Sequence, residues 1–254
     1  MVSPRLIFVH GAAADARLWS PVISKLPPEW DAQAITLTYF GDTEWPDDGS
    51  QFGTRLHAQE LRHMAAEMGG DVDIVCWSYS VHVGLQALLD APGLFRSALF
   101  YEAALPHYIS DEGEQEVFGK DFGSCFGAVG AKLEKEGNEA AVRQLVGQGF
   151  GSLPQDRQDM YLSNARMMPL LMGGGEAPAK IGPAELAGIE TPTLVAMGGK
   201  TRPCFELPSR ALARHLPNAT LDIVANADHF LPETNAELFA AVVEEWIDGE
   251  ASEQ

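Results

Sequence analysis

The sequence predicts an α/β fold: a mostly parallel sheet flanked by helices, with a helical cap inserted near the middle of the chain. Three observations lead there. Short β-branched apolar runs alternate with helical patterns. Most of those runs are apolar on both faces, as strands covered by helices on both sides should be. Between about Leu105 and Glu190 the alternation breaks, and strand signals give way to helix formers and glycines.

The strand candidates are residues 6–10, 34–39, 73–77, 98–102, 193–198 and 221–225. Helix candidates fill the gaps at 19–26, 53–68, 79–89, 205–216 and 235–247. In the last of these, Leu238, Val242 and Trp246 recur one turn apart beside Phe239, Val243 and Ile247. That is a wide apolar stripe suited to docking on a sheet. Strands alternating with helices imply right-handed crossovers and hence parallel pairing. Within the break, residues 124–136, 138–148 and 154–172 read as helices, and Gly173-Gly174-Gly175 with Pro178 ends the run. The expected organisation is a core of residues 1–104 and 190–254 and a helical cap of residues 105–189. Such an insertion lies over the C-terminal edge of the sheet, where open α/β sheets bind ligands.

The chain has 254 residues, 46% of them hydrophobic, enough for one sizeable core. Its formal net charge of −19 repels nucleic acid and anionic membrane surfaces. No apolar stretch is long enough to span a bilayer, and the run ahead of His10 is too short for a signal-peptide core. A cytoplasmic protein is expected, monomeric or homodimeric, with a small-molecule substrate as partner. The three cysteines, Cys76, Cys125 and Cys204, are widely and irregularly spaced, which suits reduced thiols better than a disulfide framework. The polar stretch from Asp248 onward is expected to fray.

Chemistry concentrates at three strand ends. In Asp73-Ile-Val-Cys-Trp-Ser78-Tyr-Ser-Val-His-Val-Gly84 an apolar strand runs directly into a helix pattern with Ser78 at the junction. A nucleophile there stands on a tight turn, and the helix N-terminus behind it favours developing negative charge. Cys76 and Ser80 occupy the places of the two glycines in the Gly-x-Ser-x-Gly pattern, and both are small. A plain strand–helix junction is the competing reading of this segment. Ser80 is a nucleophile by residue type, but two positions into a helix its hydroxyl suits a backbone bond. In Ile7-Phe-Val-His10-Gly11-Ala12-Ala13-Ala14 the Ala12 N–H is placed to join the Tyr79 N–H in a two-donor oxyanion hole. His10 is expected to bond loop backbone. In the third segment, Ala227-Asp228-His229-Phe230, a histidine follows the last strand, where it can take a serine proton and return it to a leaving group.

These segments together resemble the α/β-hydrolase superfamily, in the capped group of small esterases and lactonases. The resemblance covers essentially the whole chain. It rests on His10-Gly11, the Ser78 elbow, Tyr101-Glu102, Gly198-Gly199 and Ala227-Asp228-His229. It implies Ser78 as nucleophile, His229 as base, Ala12 and Tyr79 as oxyanion donors, and a third, carboxylate member of the triad. The position most members use for that acid reads Gly198-Gly-Lys-Thr-Arg-Pro203 here, without a carboxylate. The family's other placement falls on Glu102, which is the predicted acid, with Asp228 and Glu206 as alternatives. The leading β-hairpin and the Arg-Gly-x-Gly turn common in the family have no counterpart.

The resemblance implies hydrolysis of a carboxylic ester or lactone of a small, partly apolar molecule through an acyl-enzyme, with no cofactor and no metal. Other reactions hosted by this fold remain alternatives: carbon–carbon bond hydrolysis, lyase chemistry, acyl transfer, or a non-catalytic ligand-binding role. His57 and His63 read as structural or exposed, and His82, one helical turn after Ser78, either reaches the site or, as expected, packs against the sheet. Trp45 is either a pocket residue or a surface aromatic. Tyr161, Asn164, Met167, Met168 and Leu171 recur at helical spacing, either as packing of the insertion or as a pocket wall.

Overall fold

Runs of leucine, isoleucine, valine and phenylalanine form the middle of a single parallel sheet. The computed structural model describes residues 3–252. Its strands are β1 (Arg5–Val9), β2 (Asp31–Ile35), β3 (Val72–Trp77), β4 (Phe95–Tyr101), β5 (Thr193–Gly198) and β6 (Ala219–Val224). They lie in the order β2-β1-β3-β4-β5-β6, and each neighbouring pair is parallel. Every residue of β3 and β5 is buried, as expected for strands with helices on both faces. Each fully buried Val, Leu, Ile or Phe in these strands contributes about 1.5–3 kcal/mol.

Two elements differ from the sequence expectation at the sheet edges. The second strand is Asp31–Ile35 rather than residues 34–39. It is an edge strand without a fully buried residue, whereas the apolar signal came from Leu37 and Tyr39, which are buried in the loop beyond it. The last strand, β6, is likewise an edge, and Ile223 on it is exposed.

The helices are α1 (Ser20–Ile23), α2 (Thr54–Glu67), α3 (Tyr79–Asp90), α4 (Glu112–Glu136), α5 (Asn138–Val146), α6 (Gln155–Ser163), α7 (Pro183–Leu186), α8 (Pro203–His215), α9 (Leu231–Thr234) and α10 (Ala236–Ser252). On the sheet, α2 packs with α3 and α1 with α10. The last helix continues to Ser252 instead of fraying from Asp248, and Glu253 and Gln254 lie outside the described residues.

Between β4 and β5 the chain is helical and carries no strand among the described residues. Its first helix begins at Glu112, well before the expected start near Ser124. Glycines at 113, 119 and 123 lower the helix propensity of that half. Packing overrides them: Phe118, Phe122 and Phe126 stack along one face, with ring centroids 5.2 and 4.3 Å apart. Asp111 caps the start by accepting from the Glu114 N–H at 2.8 Å. The expected long helix over 154–172 is broken into α6, a single turn at Ala165–Met167 and a wide turn at Leu170–Gly174. Pro169 removes a backbone donor there. Asn164 spends its amide on tertiary bonds: its Oδ1 accepts from Gly41 N–H at 2.6 Å, and its Nδ2 donates to Asp15 at 2.7 Å.

The insertion is tied to the core by a buried ion pair. Arg157 on α6 donates to both carboxylate oxygens of Glu233 on α9, at 2.9 and 2.6 Å. The same guanidinium also donates to the Arg17 carbonyl at 2.7 Å.

Candidate active site

The C-terminal ends of β1, β3, β4 and β5 and the loop after β6 bring the predicted residues to one edge of the sheet. Ser78 follows β3 directly and precedes α3 with φ 58° and ψ −113°, a positive-φ conformation that costs a non-glycine residue about 1–3 kcal/mol. The turn is held from both sides. Ser78 N–H donates to the Tyr101 carbonyl at 2.9 Å. The Ser80 hydroxyl accepts from Trp77 N–H at 2.9 Å and donates to the Val9 carbonyl at 2.7 Å. Ser80 is fully buried, so its hydroxyl serves this turn. A glycine at position 80 would leave the Val9 carbonyl without that donor.

Tyr79 begins α3, and the first N–H groups of a helix have no partner within it. Ala12 follows the β1 end and lines the same cavity as Ser78 and His229. Gly11 lets the backbone pass close to the Trp77 indole, since a Cβ would stand 2.9 Å from its Cε3. His10 is buried, and its Nε2 accepts from the Leu37 N–H at 3.1 Å. Its Nδ1 therefore carries the proton and donates to the Gly11 carbonyl at 2.9 Å. Burial lowers the pKa of His10 to about 4, so the ring is neutral and shapes the loop.

His229 sits at the cavity wall with its Nδ1 2.7 Å from Oε2 of Glu102. Glu102 follows β4 directly, is fully buried and has φ 54°. Its Oε1 accepts from Gly198 N–H at 2.8 Å and its Oε2 also accepts from the Thr201 hydroxyl at 2.8 Å. A buried carboxylate requires such donors, and here three converge on it. The other two acid candidates point elsewhere. Asp228 Oδ1 accepts from Phe230 N–H at 2.9 Å, a local turn bond. Glu206 pairs with Arg210 one turn along α8 at 2.8 Å.

The loop carrying His229 is fastened to the strand ends beneath it. Trp77 Nε1–H donates to the His229 carbonyl at 2.9 Å, and the Tyr101 hydroxyl donates to the Asp228 carbonyl at 2.7 Å. Trp77 and Tyr101 are register partners on β3 and β4, so one rung of the sheet grips two successive loop carbonyls. The imidazole stacks on Phe205, ring centroids 3.6 Å apart and planes 6° apart. Gly198 is required where β5 passes this loop, since a Cβ would lie 2.4 Å from the Ala227 carbonyl oxygen.

Phe205 and Thr201 support the site without a role foreseen in the sequence, whereas Gly198 was already among the residues that carry the resemblance. Thr201 lies in the segment where most members of the family keep the acid, and its hydroxyl donates to Glu102. That coincidence of position was the available signal.

The remaining candidates separate clearly. His57 is buried, donating to the Thr38 carbonyl and accepting from the Tyr79 hydroxyl at 2.8 Å, with its pKa lowered to about 3 by burial. His63 is exposed beside Glu67. His82 lies beside the Tyr108 hydroxyl at 2.7 Å. Trp45 donates to the Tyr39 carbonyl and lies under the Arg166 guanidinium, which makes it a packing residue of its own loop. Tyr161 and Leu171 line cavities that contain Ser78, whereas Asn164, Met167 and Met168 are buried in packing. Among the described residues, no group of three or more His, Cys, Asp or Glu side chains is arranged to hold a metal ion.

A family model described as "Alpha/beta hydrolase family" matches residues 6–242. The chain belongs to this family. A pimeloyl-[acyl-carrier protein] methyl ester esterase of Neisseria meningitidis serogroup C is 22% identical, over 96% of this chain and 94% of the relative. A thermophilic esterase from Thermogutta terrifontis superposes with a TM-score of 0.73 at 16% identity, covering 98% of this chain and 91% of that one. The haloalkane dehalogenase DbeA from Bradyrhizobium elkani gives 0.72 at 20% identity, covering 99% and 92%. At these identities the solved structures bear on the fold alone. No helix among the described residues is long and apolar enough to cross a membrane.

Proposed function

We propose that the protein is a serine hydrolase cleaving a carboxylic ester, open-chain or lactone, of a small, partly apolar molecule. The observation that carries this is the Glu102–His229 hydrogen bond, formed at the wall of a cavity that Ser78 also lines. The carboxylate holds the proton on Nδ1, which leaves Nε2 free as an acceptor on the cavity side. His229 takes the Ser78 proton as the hydroxyl oxygen attacks the ester carbonyl. The oxyanion is stabilised by the N–H groups of Ala12 and Tyr79. His229 then protonates the departing alcohol. Water, activated by the same imidazole, releases the acid and restores Ser78. No step requires a metal or an organic cofactor.

The esterase named among the sequence relatives supports an ester as substrate class. Residues 105–189 act in this reading as a cap over the cavity, since Ser124, Cys125, Phe126 and Gln144 contribute to its wall. A fluorophosphonate probe tests the proposal. Wild type labels at Ser78 and Ser78→Ala does not. Failure of well-folded wild type to label, with no turnover across a panel of esters and lactones, refutes it.

A further inference from the structure

Two cavities meet at Ser78, and their walls differ. One, of about 420 Å³, contains His229 and mixes the polar Ser124, Gln144 and Lys200 with the apolar Leu145, Phe205 and Phe230. The other, of about 450 Å³, is walled by Phe52, Leu105, Phe122, Leu170, Leu171 and Met172. Ala12, Ser78 and Phe126 belong to both. The second cavity carries little charge. His82 in its wall is kept neutral by burial, its pKa lowered to about 4. Glu176 is exposed and paired with Arg55 at 3.4 Å.

The chemistry of the proposed triad orients an ester across this junction. The departing alcohol oxygen must come within about 2.6–3.2 Å of the imidazole nitrogen that protonates it. His229 lines only the first cavity, so the alcohol lies there. Tyr79, the proposed second oxyanion donor, lines only the second. The remaining substituent of the tetrahedral carbon is the acyl chain, and it points away from His229 into the second cavity.

We infer that the enzyme selects esters of apolar, medium-sized carboxylic acids, with the acyl chain in the Phe52–Leu105–Leu171 cavity and a hydrogen-bonding alcohol in the His229 cavity. This rests on the serine-hydrolase reading above. The acyl cavity is about three times the ~150 Å³ apolar cavity that accepts benzene, so acetate fills only a small part of it. Each methylene buried there is worth about fourfold in kcat/KM.

The test uses two ester series. In the first, glycerol monoesters run from acetate to octanoate. In the second, hexanoate is joined to methanol, butanol, hexanol or glycerol. Expected is a rise of about 250-fold in kcat/KM from acetate to hexanoate, four methylenes at about fourfold each, with glycerol hexanoate a better substrate than hexyl hexanoate. Leu171→Trp, which fills the acyl cavity, reduces the hexanoate-to-acetate ratio about tenfold. Met172→Phe provides a second filling variant, and melting curves establish that each is folded. A flat or falling acyl series, selectivity that follows alkyl length in the alcohol, or an unchanged ratio in both folded variants overturns the assignment. Fluorophosphonate labelling separates the two levels. Labelling at Ser78 with a flat acyl series removes only the subsite assignment, whereas absence of labelling and turnover removes both readings.

Discussion

Replacing Glu102 by glutamine keeps the volume of a fully buried side chain while changing which atoms accept hydrogen bonds. In the wild type Oε1 serves the Gly198 N–H, and Oε2 serves both the Thr201 hydroxyl and His229 Nδ1. An amide offers one acceptor oxygen and one donor nitrogen. If the nitrogen faced Gly198, two N–H groups would oppose each other in a buried site, at a cost of about 1–3 kcal/mol. The oxygen therefore faces Gly198 and the nitrogen faces Thr201 and His229. The threonine hydroxyl can rotate and accept. The imidazole can accept at Nδ1 only by moving its proton to Nε2, which removes the base from the cavity side. Tautomer inversion of this kind costs about 10⁴ in kcat in a Ser-His-Asp triad, or about 5.5 kcal/mol of barrier. Glu102→Gln is thus expected to lower kcat by about three to four orders of magnitude. Thr201 is only partly buried, so its displaced hydroxyl proton can turn to solvent, and the melting temperature should stay close to wild type. Steady-state hydrolysis of a chromogenic ester, with thermal denaturation in parallel, measures both. Turnover within tenfold of wild type would refute the tautomer argument and remove Glu102 from the proposed triad.

Three further outcomes are expected. Gly198→Ala places a methyl group 2.4 Å from the Ala227 carbonyl oxygen and 2.7 Å from the Asp228 nitrogen. Backbone must move, so kcat should fall by at least tenfold alongside a stability loss of about 1–3 kcal/mol; an enzyme of wild-type activity would contradict this. Arg157→Ala strands the Glu233 carboxylate in a buried site and should cost about 3–5 kcal/mol in urea unfolding, whereas Arg157→Met with Glu233→Leu should recover most of it. A loss below 1 kcal/mol would show the pair to be solvated. Finally, burial lowers the pKa of His10 to about 4, of His57 to about 3 and of His82 to about 4. Between these values and about 6.5 the unfolded chain binds more protons than the folded one. Stability therefore falls as pH is lowered through that window, by up to about 1.4 kcal/mol per pH unit for each histidine. Urea titrations from pH 7 to 4 measure the slope, and a flat profile down to pH 4.5 would speak against buried neutral rings.

The central strands were legible because burial on both faces demands an unbroken apolar run, which β1, β3, β4 and β5 supply. The edge β2 was not, because two of its five residues are exposed and none is fully buried, and the stronger apolar signal of Leu37 and Tyr39 belongs to a packed loop. Ser78, His229 and Glu102 could be proposed from the sequence because each sits where a strand ends. Thr201 and Phe205 escaped notice because a hydroxyl donor to a carboxylate and a ring stacked on an imidazole depend on contacts between distant segments. The first half of α4 was hidden by its glycines, whose low propensity is outweighed by an aromatic ladder visible only once the helix is drawn.

The Arg157–Glu233 pair bears on how this family can exchange parts. Glu233 lies four residues beyond His229, on the short helix that follows the loop, yet its partner belongs to the inserted segment. A graft of residues 105–189 onto another member of the fold would carry a buried guanidinium into a scaffold lacking its carboxylate and the Arg17 and Leu18 carbonyls. The transplantable unit is therefore discontinuous. It consists of the insertion, the turn after Asp15 and the helix after the histidine loop, and recombination that respects only the sequence boundaries would be selected against by folding before substrate choice came into play.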